Sequence, residues 1–283
     1  MIKVITPGFY STIQDLGRFG FQEFGVPYSG VMDRQSAGIA NGLLGNSKQD
    51  AVLEMTMTGA TLQFLKDTLI CISGADMGPT INGKIVKQNK AIAVKSDDVL
   101  SFGSLNKGFR CYLAVKGGFN SEVVLNSRSM YSRITEQVVL RKGDTLNIPD
   151  AEMKHPFNYA ALKVKEDLFD TSGINVFKGP EFDMLSSRQQ EQLLSKSFSI
   201  SKDSNRMGYR LNEILENDLP SVLTSAVLPG TVQLTPSGQL IVLMRDCQTT
   251  GGYPRILQLS SEAINIMVQK YAGQSIRFYL ELS

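Results

Sequence analysis

The sequence predicts a mainly β protein made of two related halves, and three observations lead there. Short runs rich in Ile, Val, Leu, Phe and Thr recur along the whole chain, most of them bounded by Gly, Asn, Asp or Ser. That is the pattern of strands and the turns between them. Helical periodicity is confined to three short stretches. The order of elements near the start also returns, weakly, near the end.

Taken in order, the strand runs are "IKVIT", "TLQFL", "TLICIS", "AIAVK", "RCYLAV" and "TLNI", then "GINVFK", "FSIS", "TVQLT", "QLIVLM" and "SIRFYLEL". The first helix, "DRQSAGIANGLLG", starts at Asp33, whose side chain suits an N-cap, and ends in Gly42 and Gly45. The second, "SRQQEQLLSK", has Ser187 and Gln190 at capping-box spacing. The third, "EAINIMVQKYAG", is capped by Ser260 or Ser261, carries an apolar stripe of Ile264, Met267, Val268 and Tyr271, and stops at Gly273.

The repeat sets "IKVITPGFYSTIQD" over "INVFKGPEFDMLSS", "LGRFGFQ" over "SNRMGYR", and "LICISGADMGPTINGKIV" over "LIVLMRDCQTTGGYPRIL". Each half then reads strand, Arg-x-Gly-aromatic turn, strand, polar Gly-bearing loop, strand. Two related β-barrel lobes, residues 1–165 and 166–283, explain that order. At 283 residues the chain is long enough for each lobe to bury its own core.

Composition removes several classes of function. The chain is 42% hydrophobic and 20% charged, as a soluble globular protein is. Twenty-nine basic residues against 27 acidic ones, with no Lys/Arg-rich run, give no electrostatic footprint for nucleic acid. No apolar stretch is long enough to span a membrane. "MIKVITPGFY" runs straight into a strand without the apolar core of a signal peptide. Cys71, Cys111 and Cys247 lie apart in or beside apolar runs, as buried free thiols in a reducing cytoplasm would. The single histidine, His155, sits in a polar connecting stretch and reads as a solvated loop residue. Acid–base chemistry therefore falls to Asp, Glu, Tyr, Lys or bound water.

"GPTINGKI" (Gly78 to Ile85) begins like a phosphate loop but has Ile where magnesium needs a hydroxyl. It reads instead as a hairpin turning at Asn82-Gly83. "AEMKH" has only part of a biotin carrier's Met-Lys-Met centre, so Lys154 reads as a surface loop residue. The Gly-rich "QDLGRFGFQEFGVPYSGVMD" contributes Asp15, Arg18 and Asp33. Its plain reading is a connection in which Arg18 pairs with Asp15 or Asp33; a long, aromatic-laced loop also suits function. "SRSMYSR" (Ser127 to Arg133) could hold an anion, but a solvated strand end has the same composition and is the expectation. "RDCQTTGGYPRI" (Arg245 to Ile256) is the best candidate site. Gln248, Thr249, Thr250 and Tyr253 offer neutral donors and acceptors, and Gly251-Gly252 exposes backbone N–H groups. Such a cluster can hold a carbonyl or carboxylate oxygen, as an oxyanion site must. A Gly-Gly hairpin with ordinary turn residues is the alternative.

"TPGFYSTIQDLGRFGFQEFGVPYSGVMD", "YLAVKGGF", "NSRSMY", "DSNRMGYRL", "SAVLPGTVQLTPSGQLIVLMRDCQTTGGYPRI" and the terminal "IRF" together resemble the allophanate hydrolase subunit 2 family. Its members include the C component of 5-oxoprolinase and KipA, and it is related to the carboxyltransferase domain of urea carboxylase. The resemblance implies two cyclophilin-like β-barrel lobes. It also implies a separate partner chain, the B component of 5-oxoprolinase, KipI-like and similar to allophanate hydrolase subunit 1. In 5-oxoprolinase an A component joins, and the complex opens 5-oxo-L-proline to L-glutamate at the expense of ATP. That is the expected function, with Arg206, Gln248, Thr249, Thr250 and Tyr253 as the catalytic wall. Gly251 and Gly252, and at a second tier Asp15, Arg18 and Asp33, would contact substrate or partner. The alternatives are a biotin-dependent carboxyl transfer to urea or a similar amide, and a KipA-like regulatory binder.

Overall fold

The computed structural model describes residues 1–150 and 169–281. Lys154 and His155, both expected in a loop, and the expected lobe boundary at 165/166 lie outside the described residues. The chain divides into two compact units. Of the described residues the first holds 1–18 and 29–150, and the second holds 19–28 and 169–281. Strands dominate both, with three short α-helices among the described residues.

In the first unit the strands form two sheets. One, of six strands, is built on Ile2–Thr6, Thr61–Phe64 and Val99–Ser101; the other, of five, orders Tyr10–Gln14, Val52–Thr56, Lys107–Val115, Thr68–Asp76 and Ile92–Val94. Side chains alternate across each strand, so Ile2, Val4, Leu62 and Phe64 meet Ile13, Leu53, Met55, Ile72 and Leu113 in a shared core. The intervening residues of the five-stranded sheet, Val52, Cys71, Tyr112 and Ala114, pack against Ala37, Ala40 and Leu44 of helix α1, Arg34–Leu43, or its end. Both faces are therefore covered, which is why Leu69 to Ile72 within "TLICIS" are apolar without alternation. Helix α1 begins where Asp33 caps it, the carboxylate accepting from the Ser36 N–H at 2.9 Å. Thr80–Ile81 and Lys84–Ile85 form the expected hairpin, with Asn82 and Gly83 at φ 50° and 77°.

In the second unit seven strands make a nearly closed barrel. Their order is Phe198–Ser199, Ser275–Leu280, Gly173–Lys178, Arg255–Leu259, Thr231–Leu234, Gln239–Leu243, Gly208–Ile214. The end strands meet through the Ile200–Leu211 bridge and the Ser201 N–H to the Arg210 carbonyl at 2.9 Å. Ile174, Val176, Phe198, Tyr209, Leu211, Val232, Leu234, Val242, Ile276 and Phe278 supply its buried alternate positions.

Two details of the helices differ from the sequence reading. The box of α2, Ser187–Ser195, is made by Ser186 and Gln189, one residue earlier than expected, because Ser186 is the last residue with extended backbone (ψ 155°). Helix α3, Ser261–Met267, is capped by Ser260 and closes at Val268. Tyr271 thus lies beyond it, 41% exposed, rather than on its apolar stripe. No helix among the described residues is long and apolar enough to cross a membrane.

Candidate functional site

The segment from Arg245 to Arg255 is an excursion between two strands of the barrel, Gln239–Leu243 and Arg255–Leu259. A charged clamp holds each end. At its start Asp246 receives Arg206 side on, with Nε–Oδ2 at 2.8 Å and Nη2–Oδ1 at 3.0 Å. The Asp246 N–H also donates to the Arg206 carbonyl at 3.0 Å. At its end Arg255 grips Glu181, with Nε–Oε2 at 3.0 Å and Nη2–Oε1 at 2.8 Å, and its Nη1 reaches the Ala226 carbonyl at 3.1 Å. The guanidinium hydrogen bonds hold the Glu181 carboxyl below its ordinary range, and the carboxylate raises Arg255 in return. Gly179 makes this clamp possible, since a Cβ there would lie 2.1 Å from the Arg255 carbonyl oxygen.

Between the clamps the chain stays neutral. Cys247 is buried, and burial pushes its thiol up to about 12. Gln248, Thr250 and Tyr253 are exposed, and Thr249, Gly251 and Gly252 half-buried. The stretch is not a Gly-Gly hairpin. Thr250–Gly251 pairs antiparallel with Ser225–Ala226, extended by Val227 N–H to the Thr249 carbonyl and Val222 N–H to the Gly252 carbonyl. Neither glycine needs left-handed backbone; at Gly251 space is tight. A Cβ on it would lie 2.5 Å from Nε2 of Gln233, a residue 1% exposed on the neighbouring strand. The strand pairing shifts register by one residue between Val232 and Gln233, and such bulges re-aim side chains.

Six of the expected site residues, Gln248 to Tyr253, therefore come together on one neutral segment. Arg206 does not join them as a substrate contact: buried and engaged by Asp246, it holds the segment's root. The second-tier residues belong to the first unit and are also built into its structure. Asp15 accepts from the Ser127 and Ser129 hydroxyls at 2.7 Å, the Arg128 N–H at 2.6 Å and the Gly17 N–H at 2.9 Å. Arg18, 0% exposed, donates to the Ser129 carbonyl at 2.5 Å. Asp33 is occupied as a helix cap, its other oxygen accepting from the Ser36 hydroxyl at 2.6 Å. Ser127 and Ser129 are buried, so "SRSMYSR" is an anchored loop and not a solvated strand end.

Sequence reasoning missed Gln233, Asp246 and Glu181, and in the first unit Glu54. Buried Glu54 accepts from the Met32 N–H at 2.8 Å and the Tyr112 hydroxyl at 2.9 Å, and that hydroxyl accepts from the Asp33 N–H at 2.8 Å. Burial, then the Glu54 charge, drive the Tyr112 phenol well above its usual range. The available signal was a Glu or Gln flanked on both sides by apolar residues inside a strand run, "VLEMT" and "TVQLT". Asp246 and Glu181 gave no such signal.

Among known families, the carboxyltransferase domain, subdomain A and B, matches residues 24–280. The chain belongs to this family. Within it, the C component of 5-oxoprolinase from Escherichia coli K12 is 34% identical over 98% of this chain and 90% of its own. Its Haemophilus influenzae counterpart is 32% identical with the same coverage. Urea amidolyase of Lachancea kluyveri is 33% identical, over 74% of this chain and 12% of its own length. Among solved structures, TTHA0988 superimposes with a TM-score of 0.87 at 26% identity, over 98% of this chain and 55% of that one. This chain thus spans about half of TTHA0988. The Kluyveromyces lactis urea amidolyase superimposes with a TM-score of 0.84 at 26% identity, over 98% of this chain and 18% of that one.

Proposed function

We propose that this chain is the C component of an ATP-dependent 5-oxoprolinase that opens 5-oxo-L-proline to L-glutamate together with the A and B components. The observation carrying this reading is the reciprocal likeness to the C component of 5-oxoprolinase, which extends over almost the whole of both chains. The urea amidolyases share only a small part of their length with it. The same family resemblance supports two cyclophilin-like β-barrel lobes, proposed as residues 1–165 and 166–283, apart from residues 19–28, which belong to the second compact unit.

The chemistry asks for little beyond what the neutral segment offers. Lactam resonance makes the carbonyl a poor electrophile. Transfer of the ATP γ-phosphoryl group to the lactam oxygen makes the ring carbon susceptible to water. The ring C–N bond then breaks, the nitrogen leaves with a proton, and a second water releases phosphate from the resulting acyl phosphate. In this reading the Gln248 carboxamide, the hydroxyls of Thr249, Thr250 and Tyr253 and the Gly252 N–H supply the contacts to the lactam and to the oxyanion that develops when the second water attacks the acyl phosphate; the Gly251 N–H is committed to its pairing with Ser225. Arg206 positions them through Asp246.

The test is a complex reconstituted from all three components, with glutamate release followed with and without ATP. Glutamate is expected only with every component and ATP present. None from a demonstrably assembled complex would overturn the reading and turn attention to carboxybiotin with urea-like acceptors. Thr250→Val combined with Tyr253→Phe is expected to cut turnover at least tenfold, about 1.4 kcal/mol of barrier. Near-normal turnover would remove this segment from the site.

A further inference from the structure

Strand Thr231–Leu234 is buried at all four positions, yet two of the four are polar. Val232 and Leu234 point to one side and are fully buried in the core. The other side carries Thr231, whose hydroxyl donates to the Gln258 carboxamide oxygen at 2.8 Å, and Gln233. Gln233 is 1% exposed, so its carboxamide is a desolvated polar group that must be matched. Only half of it is. Its Oε1 accepts from Nε2 of exposed Gln248 at 3.5 Å, while its own Nε2 has no hydrogen-bond partner. That NH2 group lies where a Gly251 side chain would be, at 2.5 Å from the Cβ position. An unmatched buried donor costs about 1–3 kcal/mol, and this one sits at the register shift beside Val232, against Gln248 and Gly251 of the candidate site.

We infer that Gln233 is a positioning residue that fixes the Gln248 carboxamide so that the two together read a cis-amide. The inference rests on the 5-oxoprolinase reading and names the group recognised there. A five-membered lactam holds its N–H and C=O on the same edge. A primary carboxamide presents the complementary edge, donor beside acceptor, and pairs with it through two hydrogen bonds. A carboxamide that rotates freely in water pairs with amides and esters alike; one gripped from beneath keeps donor and acceptor in register with the lactam edge. The lactone analogue, with ring oxygen in place of N–H, supplies no donor to the Gln248 oxygen. A site built to hydrogen-bond a substrate N–H rejects the analogue that lacks it.

The test uses the assembled three-component complex and compares kcat/KM for 5-oxoproline with that for its lactone analogue. The variants are Gln233→Met, which keeps side-chain length and removes both polar atoms, and Gln248→Met, which alters an exposed position and leaves the core untouched. Both are expected to lower the lactam-to-lactone ratio on the order of tenfold. In Gln233→Met the loss should fall on KM, and Gln233→Asn should not rescue it because its amide is one methylene too short. A purely structural role for Gln233 would lower both substrates together and leave the ratio unchanged, and that result overturns the inference. Should Gln233→Met fail to co-purify with its partners, an unchanged ratio in Gln248→Met overturns it equally. If the wild-type complex opens no lactam, the functional reading itself falls, and the inference with it.

Discussion

Asp246→Asn keeps the shape of the side chain and removes the charge that Arg206 faces. The guanidinium then stays 7% exposed with its bidentate partner gone. Breaking a buried ion pair from one side costs about 3–5 kcal/mol. Asn still offers one carbonyl oxygen, and the Asp246 N–H keeps its bond to the Arg206 carbonyl, so the lower end applies, about 3 kcal/mol. The cost is felt locally, because the pair ties the root of the neutral segment to the turn before strand Gly208–Ile214. Cys247, next in sequence and 3% exposed, reports that opening. With opening fast relative to alkylation, labelling follows the open population, and ~3 kcal/mol raises its rate roughly a hundredfold. Mass spectrometry after iodoacetamide pulses reads Cys247 against Cys71 and Cys111, which are fully buried in the first unit and serve as internal controls. Arg206→Met with Asp246→Leu should restore most of the protection, since apolar replacement of a buried pair is close to neutral. An increase below about fivefold for Asp246→Asn, or a double variant labelled as fast as the single one, refutes the reasoning.

Gly251→Ala drives a methyl group into the Gln233 carboxamide and is expected to cost about 1–3 kcal/mol and most of the complex's activity; an unchanged urea midpoint would contradict it. Glu181 has a folded value depressed below its ordinary 4.5 by Arg255, so its contribution is full above that pH and disappears as pH falls through the folded value. Wild type should therefore exceed Glu181→Gln in unfolding free energy at neutral pH, with the gap closing in acid; a gap independent of pH would exclude the pair as its source. Tyr112→Phe leaves the Glu54 carboxylate and the Asp33 N–H each short of a partner, and should lower stability by about 1–3 kcal/mol in denaturant titrations of the whole chain. A loss below about 0.5 kcal/mol would show that the buried network relaxes around the missing hydroxyl.

Many of the strands whose apolar residues face a core were legible because burial leaves its period in the sequence; Val52–Thr56 was not, because its apolar run is broken by the buried Glu54. Tyr10–Gln14 was not, because Ser11, Thr12 and Gln14 are buried polar residues, and Gln14 and Ser11 bond to the backbone at Met130 and Pro7. Gly208–Ile214 alternates, but its outward Arg210 and Asn212 made it look like the tail of a turn. The capping box slipped by one because Ser186/Gln189 and Ser187/Gln190 have the same spacing, and only backbone conformation separates them. At the site, the neutral run was legible as a composition anomaly. Its clamps were not: Arg206 meets Asp246 across 40 residues and Arg255 meets Glu181 across 74. Arg206, a catalytic candidate, is engaged in holding structure, whereas Asp33 caps the first helix as its position suggested.

That division of labour explains the run between Arg245 and Arg255. A developing oxyanion is best stabilised by donors already fixed in place, because reorganisation at the moment of reaction is what solvent would otherwise cost. Charged donors would hold the ground state of a neutral lactam no more loosely than its competitors, and each would demand a counter-ion. Two of the strong charges flanking the segment are matched by a carboxylate–guanidinium pair, Asp246 by Arg206 and Arg255 by Glu181. What remains are hydroxyls and a carboxamide on a chain pinned at both ends and paired along Ser225–Ala226. In the proposed reading, rigidity comes from the ion pairs and selectivity from the neutral groups. Loosening a clamp should therefore lower kcat for lactam and lactone alike, whereas altering Gln233 or Gln248 should change the ratio between them. The two kinds of variant thus separate how the segment is held from what it reads.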